Sequence, residues 1–125
     1  MKQLERIINF CVRKDKIKRL MEKSKKESQY FEFINEFLHD TRCIKDNILH
    51  QMPLNRGLPI ININEWFKNN EKLFYIGHGD LCCSEIKYTE DILEIISNDE
   101  DLLLFSIERY FGYYKNHENE NYIIR

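Results

Sequence analysis

Apolar residues fall at Leu4, Ile7, Ile8, Cys11 and Val12 and resume at Ile17, Leu20 and Met21, close to the three-and-four spacing of one helix face. This pattern predicts an amphipathic helix over 3–24. A second helix begins near Ser28, whose hydroxyl suits an N-cap. It runs through Tyr30, Phe31, Ile34, Phe37 and Leu38, with Glu27 and Glu32 near its positive end. Residues 41–49 either extend that helix or form a short third one, with Cys43, Ile44, Ile48 and Leu49 facing inward. Pro53, Gly57 and Pro59 then interrupt regular structure.

The period changes in the second half. Residues 58–63 read as extended, and Asn64 caps a short helix carrying Trp66 and Phe67. Residues 72–76 make a strand closed by the turn Gly77-His78-Gly79-Asp80, and 84–88 alternate well enough for another. Thr89-Glu90-Asp91 opens a helix through Ile92, Leu93, Ile95 and Ile96, which Asn98 to Asp101 close. The continuous apolar run 102–107 has strand length, with 110–114 and 122–124 as its neighbours; a helix over 101–110 is the alternative. Helices first and strands afterwards indicate an α+β fold: N-terminal helices packed on one side of a small, mostly antiparallel sheet formed by the C-terminal half.

Charge divides the chain in the same place. Residues 1–50 hold 12 Lys and Arg against 8 Asp and Glu, a net +4, whereas 51–125 hold 7 against 13, a net −6. A length of 125 residues with 42% hydrophobic and 32% charged side chains suits one domain, 1–125, with a basic helical part (1–50) and an acidic mixed part (58–125). Sixteen aromatics, eight Phe, seven Tyr and one Trp, argue against disorder. No apolar run approaches the roughly 18 residues of a membrane span, and the basic N-terminus lacks the apolar core of a signal peptide. The four cysteines, 11, 43, 82 and 83, show no disulfide spacing. A cytoplasmic protein with reduced thiols and no cofactor is the expectation.

No motif fixes a catalytic activity, and each candidate has a plainer explanation. Gly77 to Cys83 gathers His78, Asp80, Cys82 and Cys83 in seven residues. Zinc accepts these ligand types, but adjacent cysteines do not point easily at one ion, so a composite of His39, Cys43, His78 and Cys82 would be needed. A nucleophile reading has Cys82 or Cys83 attack with His78 as base and Asp80 orienting it, yet such groups usually come from separate parts of a fold. Buried cysteines and a solvated glycine turn account for the same residues. Glu90-Asp91-Glu94 and Asp99-Glu100-Asp101 are compatible with magnesium or paired acid and base, but helix capping and a polar turn explain them more simply. A non-enzymatic protein is expected.

Two binding readings remain. Arg13, Lys14, Lys16, Lys18, Arg19 and Lys23 form a basic stripe that suits phosphates, although the pI of about 6.1 and the acidic second half oppose it. The acidic half, with Glu85, Asp99, Glu100, Asp101 and Glu108 near Tyr110, Tyr113 and Tyr114, suits docking on a basic protein, tyrosines supplying the anchoring contacts. In size, mild acidity and lack of catalytic motifs the whole chain resembles the immunity proteins that bacteria make against polymorphic or contact-dependent toxins. That resemblance implies a cognate toxin as partner, a basic and often nuclease domain, neutralised by occlusion of its active site. The lysine-, asparagine- and isoleucine-rich composition, as in residues 68–72, fits an AT-rich bacterial or phage genome.

Overall fold

Leu4, Ile7, Ile8 and Cys11 are buried on one face of the first helix, α1 (Lys2–Cys11). The helix expected over 3–24 stops there. The four residues 13–16 are polar and have nothing to bury, and the backbone finds other partners. Val12 forms an antiparallel bridge with Ile44, the Arg13 N–H donates to the Cys43 carbonyl at 2.8 Å, and the Lys45 N–H donates to the Cys11 carbonyl at 2.9 Å. A 3-10 turn (Lys14–Lys16) leads into α2 (Ile17–Ser24), so the basic residues do not lie along one rod.

A second 3-10 turn (Glu27–Gln29) contains Ser28 and precedes α3 (Tyr30–Leu38), which has no side-chain cap at its start. Residues 41–48 form neither a helical extension nor a third α-helix. They make two 3-10 turns, Thr41–Cys43 and Asp46–Ile48, the first capped by the Asp40 carboxylate accepting from the Arg42 N–H at 2.9 Å.

The computed structural model describes residues 2–52, 54–55, 58–59, 63–79, 82–118 and 120–125. Strand β1 (Leu49–Gln51) is followed by a two-stranded pair, β2 (Leu54–Asn55) and β3 (Leu58–Pro59), and by α4 (Ile63–Trp66), in which Asn64 sits inside the helix. Pro53, Gly57 and residues 60–62 lie outside the described residues; of the segment 58–63 expected to be extended, Leu58–Pro59 is strand and Ile63 already belongs to α4. Then come β4 (Lys72–Gly77), β5 (Ser84–Lys87), α5 (Ile92–Asn98), β6 (Leu102–Ser106), β7 (Phe111–Lys115) and β8 (Asn121–Ile124). Six strands form one sheet in the order β1-β8-β7-β6-β4-β5, every neighbour antiparallel, and the class is α+β.

Both faces of this sheet are covered, where sequence alone suggested one. Phe74, Ile76, Leu103, Phe105, Tyr114 and Ile124 pack with α1, α2 and α3. Leu73, Tyr75, Leu102, Leu104 and Tyr113 pack on the other side with Phe67, Tyr88, Ile92 and Ile96. Every residue of β6 is buried, which is why its sequence is uniformly apolar and not alternating, and why 101–110 is no amphipathic helix.

Candidate functional site

Strand register builds the site. Gly77 pairs with Leu102 and Leu102 with Lys115, so the chain just after β4, just before β6 and just after β7 emerges at one end of the sheet. Those positions carry His78, Asp101 and His117. The C-terminus of α3 is held against the same end, because the buried Tyr114 hydroxyl donates to the Leu38 carbonyl at 2.6 Å. His39 follows directly.

Three of the four histidines therefore surround one carboxylate. Asp101, its side chain 6% exposed, lies 3.5 Å from His39 Nδ1, 3.6 Å from His117 Nδ1 and 3.9 Å from His78 Nε2. The His117 backbone N–H also donates to Asp101 Oδ1 at 2.8 Å. The rings of His39 and His117 stack in parallel with centroids 3.7 Å apart, and the exposed Phe31 ring packs on His78 at 5.0 Å. Ligand atoms of His39, Asp101 and His117 all lie within 4.8 Å of one another.

His78 also borders a cavity of about 530 Å³ lined by Tyr75, Asp91, Glu94 and Asp99 among others. There the Tyr75 hydroxyl donates to buried Asp99 Oδ2 and accepts the Gly79 N–H at 2.9 Å. Burial, reinforced by the bond to Asp99, pushes the Tyr75 phenol up, so it stays neutral at physiological pH. Three carboxylates, Asp91, Glu94 and Asp99, are among its lining residues.

The cysteines take no part in the histidine cluster. Cys11 and Cys43 are buried in the helical core. Cys82 and Cys83 contact each other at 3.0 Å; the bond from Cys83 draws the Cys82 thiol down, while that same bond and burial push Cys83 up. Among the described residues His78 is engaged with Asp101 and Phe31, not with a thiol, and Asp80 lies outside the described residues. Of the composite His39, Cys43, His78 and Cys82, only the two histidines come together at Asp101.

The residues expected at a partner surface separate by depth. Glu85, Glu100, Glu108 and Tyr110 are exposed, whereas Asp99, Asp101, Tyr113 and Tyr114 are buried and unavailable to a partner. Tyr113 donates to Asn121 Oδ1 at 2.5 Å inside the second core, and Tyr110 accepts from Arg6 Nη2 at 2.9 Å. In the basic stripe, Arg13 pairs with Asp46 at 2.9 Å, while Arg19 and Lys23 both hold Glu36, at 2.5 and 2.9 Å. Burial alone would raise the Glu36 carboxyl, but these two donors hold it below its usual range. Lys14, Lys16 and Lys18 are exposed without an ion pair among the described residues.

The grouping of His39, Asp101 and His117 was not legible in the sequence, since it depends on β6 pairing with β7 and on the end of α3 docking against the same end of the sheet. A histidine or aspartate flanking each of three strands at the same end was the only available signal. No protein-family model, curated protein or solved structure matches this chain.

Proposed function

We propose that this chain is a non-enzymatic cytoplasmic binding protein of the toxin-immunity kind, whose acidic second half docks on a basic partner protein and occludes its active site. The observation supporting this is the partition of ion pairs. Every Lys or Arg pair among the described residues stays within its own half of the chain: Arg13, Arg19, Lys23 and Arg42 pair with Asp46, Glu36, Glu32 and Asp40, and Arg109 pairs with Glu71. The carboxylates of the second half are thus not consumed by the positive N-terminal helices.

The segment 84–108 carries Glu85, Glu90, Asp91, Glu94, Asp99, Glu100, Asp101 and Glu108 against Lys87 alone, and six of the eight are exposed. These charges, spread over β5, α5 and both ends of β6, attract a basic cleft at long range and raise association rate more than affinity. The nucleic-acid reading has less support, because half of the stripe Arg13, Lys14, Lys16, Lys18, Arg19 and Lys23 is engaged with neighbouring carboxylates. Among the described residues no helix is long and apolar enough to cross a membrane.

The test is co-expression with the product of the adjacent reading frame, followed by stopped-flow association of the two purified proteins. The expected result is rescue of growth, and a Glu100→Lys, Glu108→Lys double variant that associates more slowly at low salt with a smaller deficit at high salt. An adjacent product that is neither toxic nor bound overturns the immunity reading, and an unchanged association rate overturns the surface.

A further inference from the structure

Asp101 is a buried carboxylate without a permanent counter-charge. The groups at ion-pair distance from it among the described residues are the imidazoles of His39, His78 and His117, and no Lys or Arg is among them. Burying an ionised carboxylate is costly unless a positive charge or several donors compensate it. The His117 backbone N–H is one such donor. At the same time His117 Nδ1 is buried and has no hydrogen-bond partner, an arrangement that native structures rarely leave unanswered. A cation accepting a lone pair from the imidazole nitrogen answers both.

We propose that His39, Asp101 and His117 bind a first-row transition-metal dication of the zinc class, independently of the partner-binding role argued above. Two imidazoles and one carboxylate are a donor set suited to zinc, cobalt or nickel, whereas magnesium and calcium favour all-oxygen shells. The spacing agrees. Donors about 2.0–2.2 Å from one ion lie no more than about 4.4 Å apart, and the Asp101 oxygens are already 3.5 and 3.6 Å from the two Nδ1 atoms. The two stacked rings turn apart to aim both nitrogens at the ion, and His39, 50% exposed, has room to do so. His78, 3.9 Å from the same carboxylate, is placed to orient Asp101. The ion ties the end of α3, the entry to β6 and the β7–β8 turn into one knot, so its binding stabilises the folded chain.

The experiment uses the full chain, without a polyhistidine tag and freed of metal, titrated with Co²⁺ and followed by visible absorption, equilibrium dialysis and thermal unfolding. The expected result is one Co²⁺ per chain, displaced by Zn²⁺, with a rise in Tm on loading. Binding falls by more than 100-fold in His39→Ala and in Asp101→Asn, by about 10–100-fold in His78→Ala, and is unchanged in His50→Ala and in Cys82→Ser, Cys83→Ser. His39 is largely on the surface, so His39→Ala keeps its circular dichroism, and Asp101→Asn retains the volume and the acceptor for the His117 N–H. No binding by the parent chain overturns the site. So does a thiolate charge-transfer band lost in the cysteine variant, or His39→Ala binding as tightly as the parent.

Discussion

Tyr114, next to the last residue of β7, donates its hydroxyl to the carbonyl of Leu38, the last residue of α3, at 2.6 Å, with both groups buried. That bond joins the helical layer to the sheet and satisfies a helix-end carbonyl that no intrahelical donor reaches. Burial pushes the Tyr114 phenol up, so the donor proton is retained across the physiological range. Tyr114→Phe is expected to lower stability by about 1–3 kcal/mol, the penalty for a buried acceptor left unpaired. Urea unfolding measures it. The same variant releases His39 from its place above Asp101 and is expected to weaken Co²⁺ binding, which separates a positioning role from simple destabilisation.

Gly77 is packed too tightly to carry a side chain. A Cβ there would stand 2.7 Å from Asp99 Oδ2 and 2.7 Å from the Tyr75 hydroxyl oxygen, the two ends of a buried hydrogen bond. Gly77→Ala is expected to cost about 1–3 kcal/mol by overpacking, and its neighbour Ile76→Val about 0.5–1.5 kcal/mol as a simple cavity change. A Gly77→Ala cost below about 1 kcal/mol in chemical denaturation contradicts the packing assigned to the Tyr75 and Asp99 pair.

Acid sensitivity centres on Glu71, which receives Arg109 Nε at 2.8 Å and Nη2 at 2.9 Å, with Arg109 stacked over Phe111 at 5.1 Å. Burial acts to raise its carboxyl, but the Arg109 bonds and the Lys68 N–H outweigh it and hold the carboxyl below its usual range. A folded pKa below the unfolded one means stability that is present above the unfolded value and disappears as pH falls through the folded value. The parent is therefore expected to lose stability progressively below about pH 5. Glu71→Gln flattens that acid limb while lowering stability at neutral pH, and unfolding midpoints from pH 3 to 7 check both.

Lys14 and Lys16, in the 3-10 turn between α1 and α2, and Lys18, in the first turn of α2, lie on the surface. Changing all three to Gln is expected to move stability by no more than about 0.5 kcal/mol each and to leave association with the partner proposed above unchanged. A low-salt mobility-shift titration with duplex DNA is expected to show no complex. A salt-sensitive complex lost in the triple variant puts the nucleic-acid reading ahead of the immunity reading.

Some of these relationships are written in local pattern and some are not. The buried stripe of α1, the uniformly apolar β6 and the strand-turn limits of β4 follow from side-chain periodicity, because burial on one face or two leaves a signature within a few residues. The break after Cys11 does not, since the helix period nearly continues and what ends it is Ile44 and Cys43, more than thirty residues away. Tyr113 and Tyr114 read as a surface pair by composition, yet adjacent strand residues point to opposite faces, and here each face is a core.

By itself, the sequence determined the α+β class, with helices in the first half and strands in the second, and the separation of positive from negative halves, because these depend on local spacing and on counting. Tertiary structure alone decided which carboxylates remain on the surface and which are enclosed, and it alone gathered His39, His78 and His117 around Asp101. The physical reason is that strand pairing is non-local: Gly77 meets Leu102, and Leu102 meets Lys115, only after the hydrophobic faces of the sheet have chosen their register.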